Sequence, residues 1–180
     1  MNLDGFPRRT LRGDLELHRI HKAANDPWWF STDGSGRFDT RHGTCYFAGR
    51  PIGAWVEVFR KRMLLPEEEV IGRALHTVVL GRSLRLADIT SRRALAFGVT
   101  ASLGADESYG ASQRFAAAAI EAGFDGVRYW VRHDPAQKLY GFALFGPAEA
   151  HWPAGSDQPI PADLIDQATR NFGYRVLPTP

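Results

Sequence analysis

One cysteine, Cys45, is the whole thiol complement of this 180-residue chain. An internal disulfide is excluded, and oxidised secreted domains of this size usually carry several. A reducing, cytoplasmic setting is therefore expected. Charge of one sign is equally scarce: 22 Lys and Arg against 20 Asp and Glu leave a formal +2. That excess is too mild to imply direct nucleic-acid binding. No apolar run approaches the roughly 20 residues that span a bilayer, so no membrane partner is expected. The first residues also lack the apolar centre of a signal peptide. There is no internal repeat and no phosphate loop of the Walker type, and Gly34-Ser35-Gly36 lacks the rest of a dinucleotide fingerprint. His42, His76, His133 and His151 are scattered. His18 and His21, three apart on a strand, face opposite sides, so no metal site is expected.

What is present reads as one α+β domain. Residues 1–14, basic at Arg8, Arg9 and Arg12, read as a mobile, solvated tail. Residues 15–21 alternate as a strand. Residues 22–43 are loop-like and carry Trp28, Trp29 and Phe30, aromatics that anchor a loop or line a ligand site. Cys45 to Ala48 form a short buried strand. A helix follows over 51–63, with Pro51 near its start, where a missing N–H matters least. Strands are expected over 74–80 and 83–89, and a helix over 109–122 with Ser108 as its cap and Gly123 at its end. Strands over 126–132 and 139–145 come next. Pro147 to Pro159 is a connector, 161–171 a last helix, and Tyr174 to Leu177 a closing strand. Runs such as Arg60-Lys61-Arg62 and Arg92-Arg93 read as solvated helix faces.

The chemistry-bearing residues concentrate in 28–59. Arg37 stands in a glycine-flanked loop, Tyr46 on a strand and Glu57 in an apolar helix. Each also has a plain structural reading. Arg37 serves as a solvated charge, Tyr46 as a core residue with a bonded hydroxyl, and Glu57 as the partner of Lys61 one turn on. Cys45, in an apolar strand, reads as a small buried hydrophobe rather than a nucleophile.

The order of short motifs resembles the RES-domain family. It runs Arg19-Ile20, Gly36-Arg37-Phe38-Asp39, Gly43-Thr44, Tyr46 and Glu57, and then Gly123-Phe124-Asp125-Gly126 and Asp134-Pro135. The resemblance spans residues 15–146 and implies a catalytic domain over 15–177. Its fold would be a mixed sheet like that of ADP-ribosyltransferases, cleaving the nicotinamide–ribose bond of NAD. No prosthetic group is implied; NAD is the substrate, with inorganic phosphate as co-substrate if the reaction is phosphorolysis. Carried over, Arg19 and Arg37 contact the diphosphate or ribose, as a guanidinium fork suits. Tyr46 stacks near the nicotinamide or bonds a ribose hydroxyl. Glu57 holds the ribose hydroxyls and offsets the positive charge building at the anomeric carbon. Family members are often toxins with an Xre-type antitoxin partner.

The chain departs from the pattern at the family serine, where Val131 stands, and at Asp39, where Asn is usual. Valine offers no hydroxyl, and Tyr129 or Arg128 are the candidates to replace it. Three readings follow: phosphorolysis or hydrolysis of NAD, ADP-ribosyl transfer to a protein, or a catalytically silent binding domain.

Overall fold

The computed structural model describes residues 1–106, 108–147 and 152–179. His151 and part of the 147–159 connector lie outside the described residues. In chain order the elements are β1 (Arg8–Leu11), β2 (Glu16–Lys22), β3 (Thr44–Ala48), α1 (Pro51–Phe59), β4 (Leu64–Pro66), α2 (Glu67–Ile71), β5 (Arg73–Val79) and β6 (Leu84–Asp88). A 3-10 segment (Arg92–Phe97) leads to α3 (Ala101–Ala105), α4 (Gly110–Glu121), β7 (Gly126–Trp130), β8 (Tyr140–Phe145), β9 (Ser156–Pro159), α5 (Ala162–Phe172) and β10 (Arg175–Leu177).

Eight strands form one mixed sheet in the order β1-β6-β7-β8-β3-β2-β5-β9, and β4 pairs with β10 in a small separate ladder. Within the large sheet β6 and β7 run parallel and the other neighbouring pairs are antiparallel. The α+β expectation therefore holds. The β7–β8 hairpin is the bridge of the sheet, joining β1-β6 on one side to β3-β2-β5-β9 on the other.

Alternation along the strands sends side chains to two faces. On one face, Leu17, Cys45, Phe47, Val78, Leu86, Phe142 and Leu144 pack under Trp28, Phe30 and Trp152. On the other, α4 covers Val127, Tyr129 and Ala143 through Phe115, Ala116 and Ala119. Nearby, α1 and α5 cover Ile20, Ala48 and Leu75 through Trp55, Val56 and Leu164. Burying each of these large apolar side chains contributes roughly 1.5–3 kcal/mol.

Four features differ from the sequence reading. Residues 1–14 are not a loose tail: β1 pairs with β6 from Arg8↔Ala87 to Leu11↔Leu84, and Leu3 and Phe6 are each only 4% exposed. Phe6 meets Phe97 and Phe115 edge-on or tilted at 5.1 and 5.2 Å, so two apolar residues in a polar segment decide its placement. The helix expected to run to 63 ends at Phe59, because Arg60 adopts φ +53° and its N–H closes onto Val56 O. An arginine in the left-handed region leaves no mark in a hydropathy pattern. Within the expected 147–159 connector, β9 adds an edge strand to β5. Helix α4 starts after Tyr109 with no side-chain cap, so Ser108 does not cap it.

Candidate active site

Strands β2 and β3 pair at a single position, His18↔Ala48. Each is otherwise held by its outer neighbour, β5 and β8. Where a sheet is laddered so briefly its two strands can part, and here residues of the 29–37 loop and of α1 line the parting. The result is a cleft of about 660 Å³ lined by Arg19, Arg37, Tyr46, Glu57 and Tyr129 among others. The five residues singled out from sequence thus face one cavity, although they come from β2, a loop, β3, α1 and β7.

The cleft is strongly cationic. Arg19, Arg37, Arg60, Lys61, Arg62, Arg73 and Arg132 line it, with Glu57 as the one carboxylate among its lining residues. Arg60, Lys61 and Arg62 are exposed, as the sequence reading has them, but they lie beyond the end of α1 rather than on a helix face and contribute to the cleft rim. Of these cations, sequence reasoning had named only Arg19 and Arg37 for the site. The others lie just past the end of α1, at the start of β5 and just past the end of β7, and only the folded chain brings them to the cleft. His133 and Tyr109 were missed for the same reason.

Glu57 is the chemical centre. No Glu57–Lys61 ion pair forms among the described residues; Lys61 lies beyond the helix end. Its Oε1 is buried without a hydrogen-bond partner there. Burial pushes its carboxyl up to about 7, against the pull of Arg60 and Arg37 and of the Tyr129 hydroxyl beside it. A partnerless carboxylate oxygen is costly in a folded chain, by about 1–3 kcal/mol or more, and such groups gather at functional sites.

Arg37 is aimed by its surroundings. Its Nη1 donates to Leu103 O at 3.4 Å, and its guanidinium lies 4.8 Å from the Tyr109 ring centre. Burial and then the charge of Arg132, which lines the same cleft, lower its pKa. Arg19 donates from Nη1 to Trp29 O at 3.3 Å and to Cys45 Sγ. Burial raises the Cys45 thiol to about 11, in keeping with an inert buried residue.

Tyr46 has its hydroxyl already committed. It donates to Asp39 Oδ1 at 2.7 Å and accepts from Phe38 N–H at 2.8 Å. Asp39 Oδ2 in turn accepts from Gly36 N–H at 2.8 Å and from the Ser31 hydroxyl. The Asp39 carboxylate therefore knots the Arg37 loop onto β3. Gly36 is required in that knot, because an added Cβ would collide with Asp39 Oδ1 and with the Tyr46 hydroxyl.

Tyr129 is 5% exposed and lies flat over Gly141, where a Cβ would strike its ring. Its hydroxyl faces Glu57, and burial followed by that carboxylate's charge holds its pKa well above 10. Val131, 1% exposed, packs near Gly53 and Leu139 and is not part of this cleft. Arg128 is unable to stand in for a missing serine: its Nη1 is held by Asp88 and Thr90. Tyr129 is the one of the two candidates that reaches the cleft.

The aromatic trio divides. Trp28 stacks on Trp152 with ring centres 4.8 Å apart and donates its indole N–H to Pro153 O at 3.0 Å. Phe30 stacks on Trp152 at 5.2 Å. Both anchor the loop. Trp29 remains 65% exposed at the cleft rim.

Comparison with known proteins places this geometry. The family model described as the RES domain matches residues 16–163. A similar solved chain comes from the crystal structure of the M. tuberculosis MbcT–MbcA toxin–antitoxin complex. It aligns with a TM-score of 0.62 at 19% identity, covering 87% of this chain and 90% of that one. At that identity the likeness is one of fold. No significant match was found among curated proteins.

Proposed function

This chain belongs to the RES-domain family, and on that footing we propose that it cleaves the nicotinamide–ribose bond of NAD, with phosphate or water as acceptor. The observation that carries the proposal is the Glu57 carboxylate, buried and partnerless at Oε1 in a cleft otherwise walled by cations. A dinucleotide matches both features. Its diphosphate supplies two negative charges for guanidinium forks, and its ribose supplies hydroxyl donors that a carboxylate accepts.

In this reading Arg37 and Arg19 hold the diphosphate, with Arg132 beside Arg37 as a further cation. Glu57 accepts hydrogen bonds from the nicotinamide-ribose hydroxyls, and Tyr129 orients Glu57 and offers its hydroxyl to the ribose. Tyr46 acts by fixing the Arg37 loop and presents its ring, not its committed hydroxyl, to the substrate. The C1′–N bond then breaks with its electron pair leaving on the nicotinamide ring. That ring passes from cation to neutral molecule, so no acid is needed. Positive charge grows at C1′, and the Glu57 carboxylate offsets it in a partly dry cleft. A phosphate or water oxygen forms the new C1′–O bond, and water releases its proton.

The toxin–antitoxin setting of the MbcT fold relative extends the proposal: a growth-inhibiting toxin, acting in the cytoplasm and held in check by an Xre-type antitoxin. Among the described residues no helix is long and apolar enough to cross a membrane.

The test is incubation of purified protein with NAD, with and without phosphate, followed by product analysis. Phosphate-dependent ADP-ribose-1-phosphate identifies phosphorolysis, and phosphate-independent ADP-ribose identifies hydrolysis. Label carried onto protein would replace the proposal with ADP-ribosyl transfer. NAD binding without nicotinamide release would leave a silent binding domain.

A further inference from the structure

Outside the cleft, three strands bring two imidazoles and a carboxylate to one point. His21 on β2, His76 on β5 and Asp157 on β9 each offer one ligand atom, all within 4.8 Å of one another. The ladder explains the meeting. His76 stands directly opposite Asp157. It is two residues from Ala74, the partner of His21, so all three project from one face of the sheet. His21 and His76 are 5% and 3% exposed, while the Asp157 side chain is 44% exposed and opens the group to solvent.

The hydrogen bonds around the group leave it incomplete. His21 Nδ1 lies 2.9 Å from Lys22 O, and a carbonyl only accepts, so that nitrogen carries the proton. In the neutral ring, Nε2 then presents a lone pair to Asp157 Oδ1 at 3.4 Å, an acceptor facing an acceptor. The same Oδ1 lies 2.6 Å from His76 Nδ1. One carboxylate oxygen therefore faces two imidazole nitrogens, with positive charge wanted between them. The contact from His21 Nδ1 to a backbone carbonyl is the outer support that metal-bound histidines commonly have.

We propose that His21 Nε2, His76 Nδ1 and the Asp157 carboxylate bind a divalent transition ion of the zinc class, fastening the edge strand β9 to β5 and β2. Two imidazoles and one carboxylate suit such an ion at about 2.0–2.2 Å per ligand, with a fourth, tetrahedral position left for water. The side chain that must adjust is Asp157, the most exposed of the three. The strand it would fasten is exposed along its whole length and paired in the large sheet only to β5. This site is independent of the cleft: none of its three residues lines it.

The experiment titrates metal-free protein with Zn²⁺ in a calorimeter and with Co²⁺ in a spectrophotometer. One equivalent is expected to bind, with the intense visible absorption of tetrahedral cobalt and a rise in melting temperature. His21→Gln and Asp157→Asn should each weaken binding at least ~tenfold, and Asp157, being partly exposed, should be replaced without loss of folding. Absence of stoichiometric binding would overturn the proposal. So would binding in both variants as strong as in the parent, which would place the ion elsewhere. Nicotinamide release plays no part in these readouts, so failure here and failure of the NAD reading are separate results.

Discussion

Replacing Glu57 by Gln should make the protein more stable and nearly inactive, and the two effects should share one cause. Burial raises the Glu57 carboxyl from 4.5 to about 7. A carboxylate raised in the folded state withdraws stability as pH climbs from its unfolded value through its folded one. At pH 8 the withdrawal is roughly 3 kcal/mol, at 1.36 kcal/mol per unit. At pH 5 it is about 1 kcal/mol or less. Glutamine keeps the shape and has no charge to desolvate. In a domain of this size each kcal/mol moves the melting temperature by roughly 2–4 °C. The variant should therefore melt about 6–12 °C higher than the parent at pH 8 and within a few degrees of it at pH 5. Its nicotinamide release should fall by about a hundredfold or more, since the group that offsets charge at C1′ is gone. Thermal melts at both pH values and a nicotinamide assay on the same preparations suffice. An equal gain at pH 5 and pH 8 would refute the buried-charge argument, and undiminished turnover would remove Glu57 from the chemistry.

The parent's kcat/KM should rise with pH and level off above about 7, because the ionised Glu57 is the working form; a flat profile between pH 5.5 and 8.5 would contradict this. Arg37→Ala should weaken NAD binding by about tenfold or more, in line with ~1.5–3 kcal/mol for a charged hydrogen bond, and calorimetry at fixed ionic strength would show it. Gly36→Ala forces a methyl group between Asp39 and the Tyr46 hydroxyl. It should lower stability by about 1–3 kcal/mol and weaken NAD binding with it. Phe6→Ala opens a cavity beside Phe115 and Phe97; a loss of about 3–5 kcal/mol in denaturant unfolding is expected, and a loss near zero would return residues 1–14 to the status of a tail.

Much of this molecule was legible in its sequence because period-2 alternation and short turns mark antiparallel strands directly. The strands at 16–22, 44–48, 73–79, 84–88, 126–130 and 140–145 fall where the pattern placed them to within a residue or two. The convergence of Arg19, Arg37, Tyr46, Glu57 and Tyr129 was legible only through motif order, since no local pattern says that β2 and β3 part beyond His18. What escaped is long-range. Leu3 and Phe6 look like isolated residues in a polar stretch until α4 is set beside them. Arg132 looks like any charge at a strand end until the fold sets it, half-buried, against the cleft, where the still-exposed Arg60 joins it. His76 and Asp157 are 81 residues apart, and only the β5–β9 ladder brings them together.

The place of the β7–β8 hairpin in the sheet bears on when the proposed activity could first arise. Until residue 145 has left the ribosome, the β7–β8 pair that stands between β6 and β3 is incomplete, and before residue 132 emerges Tyr129 and Arg132 are not there to line the Glu57 pocket. A product of stalled translation that stops before the hairpin would carry Arg19 on β2, Arg37 on its loop and Glu57 on α1 without the residues that complete their cleft. The order of strands thus delays a finished cleft until most of the chain has been made, and under the proposed function a fragment would have no complete site to act with.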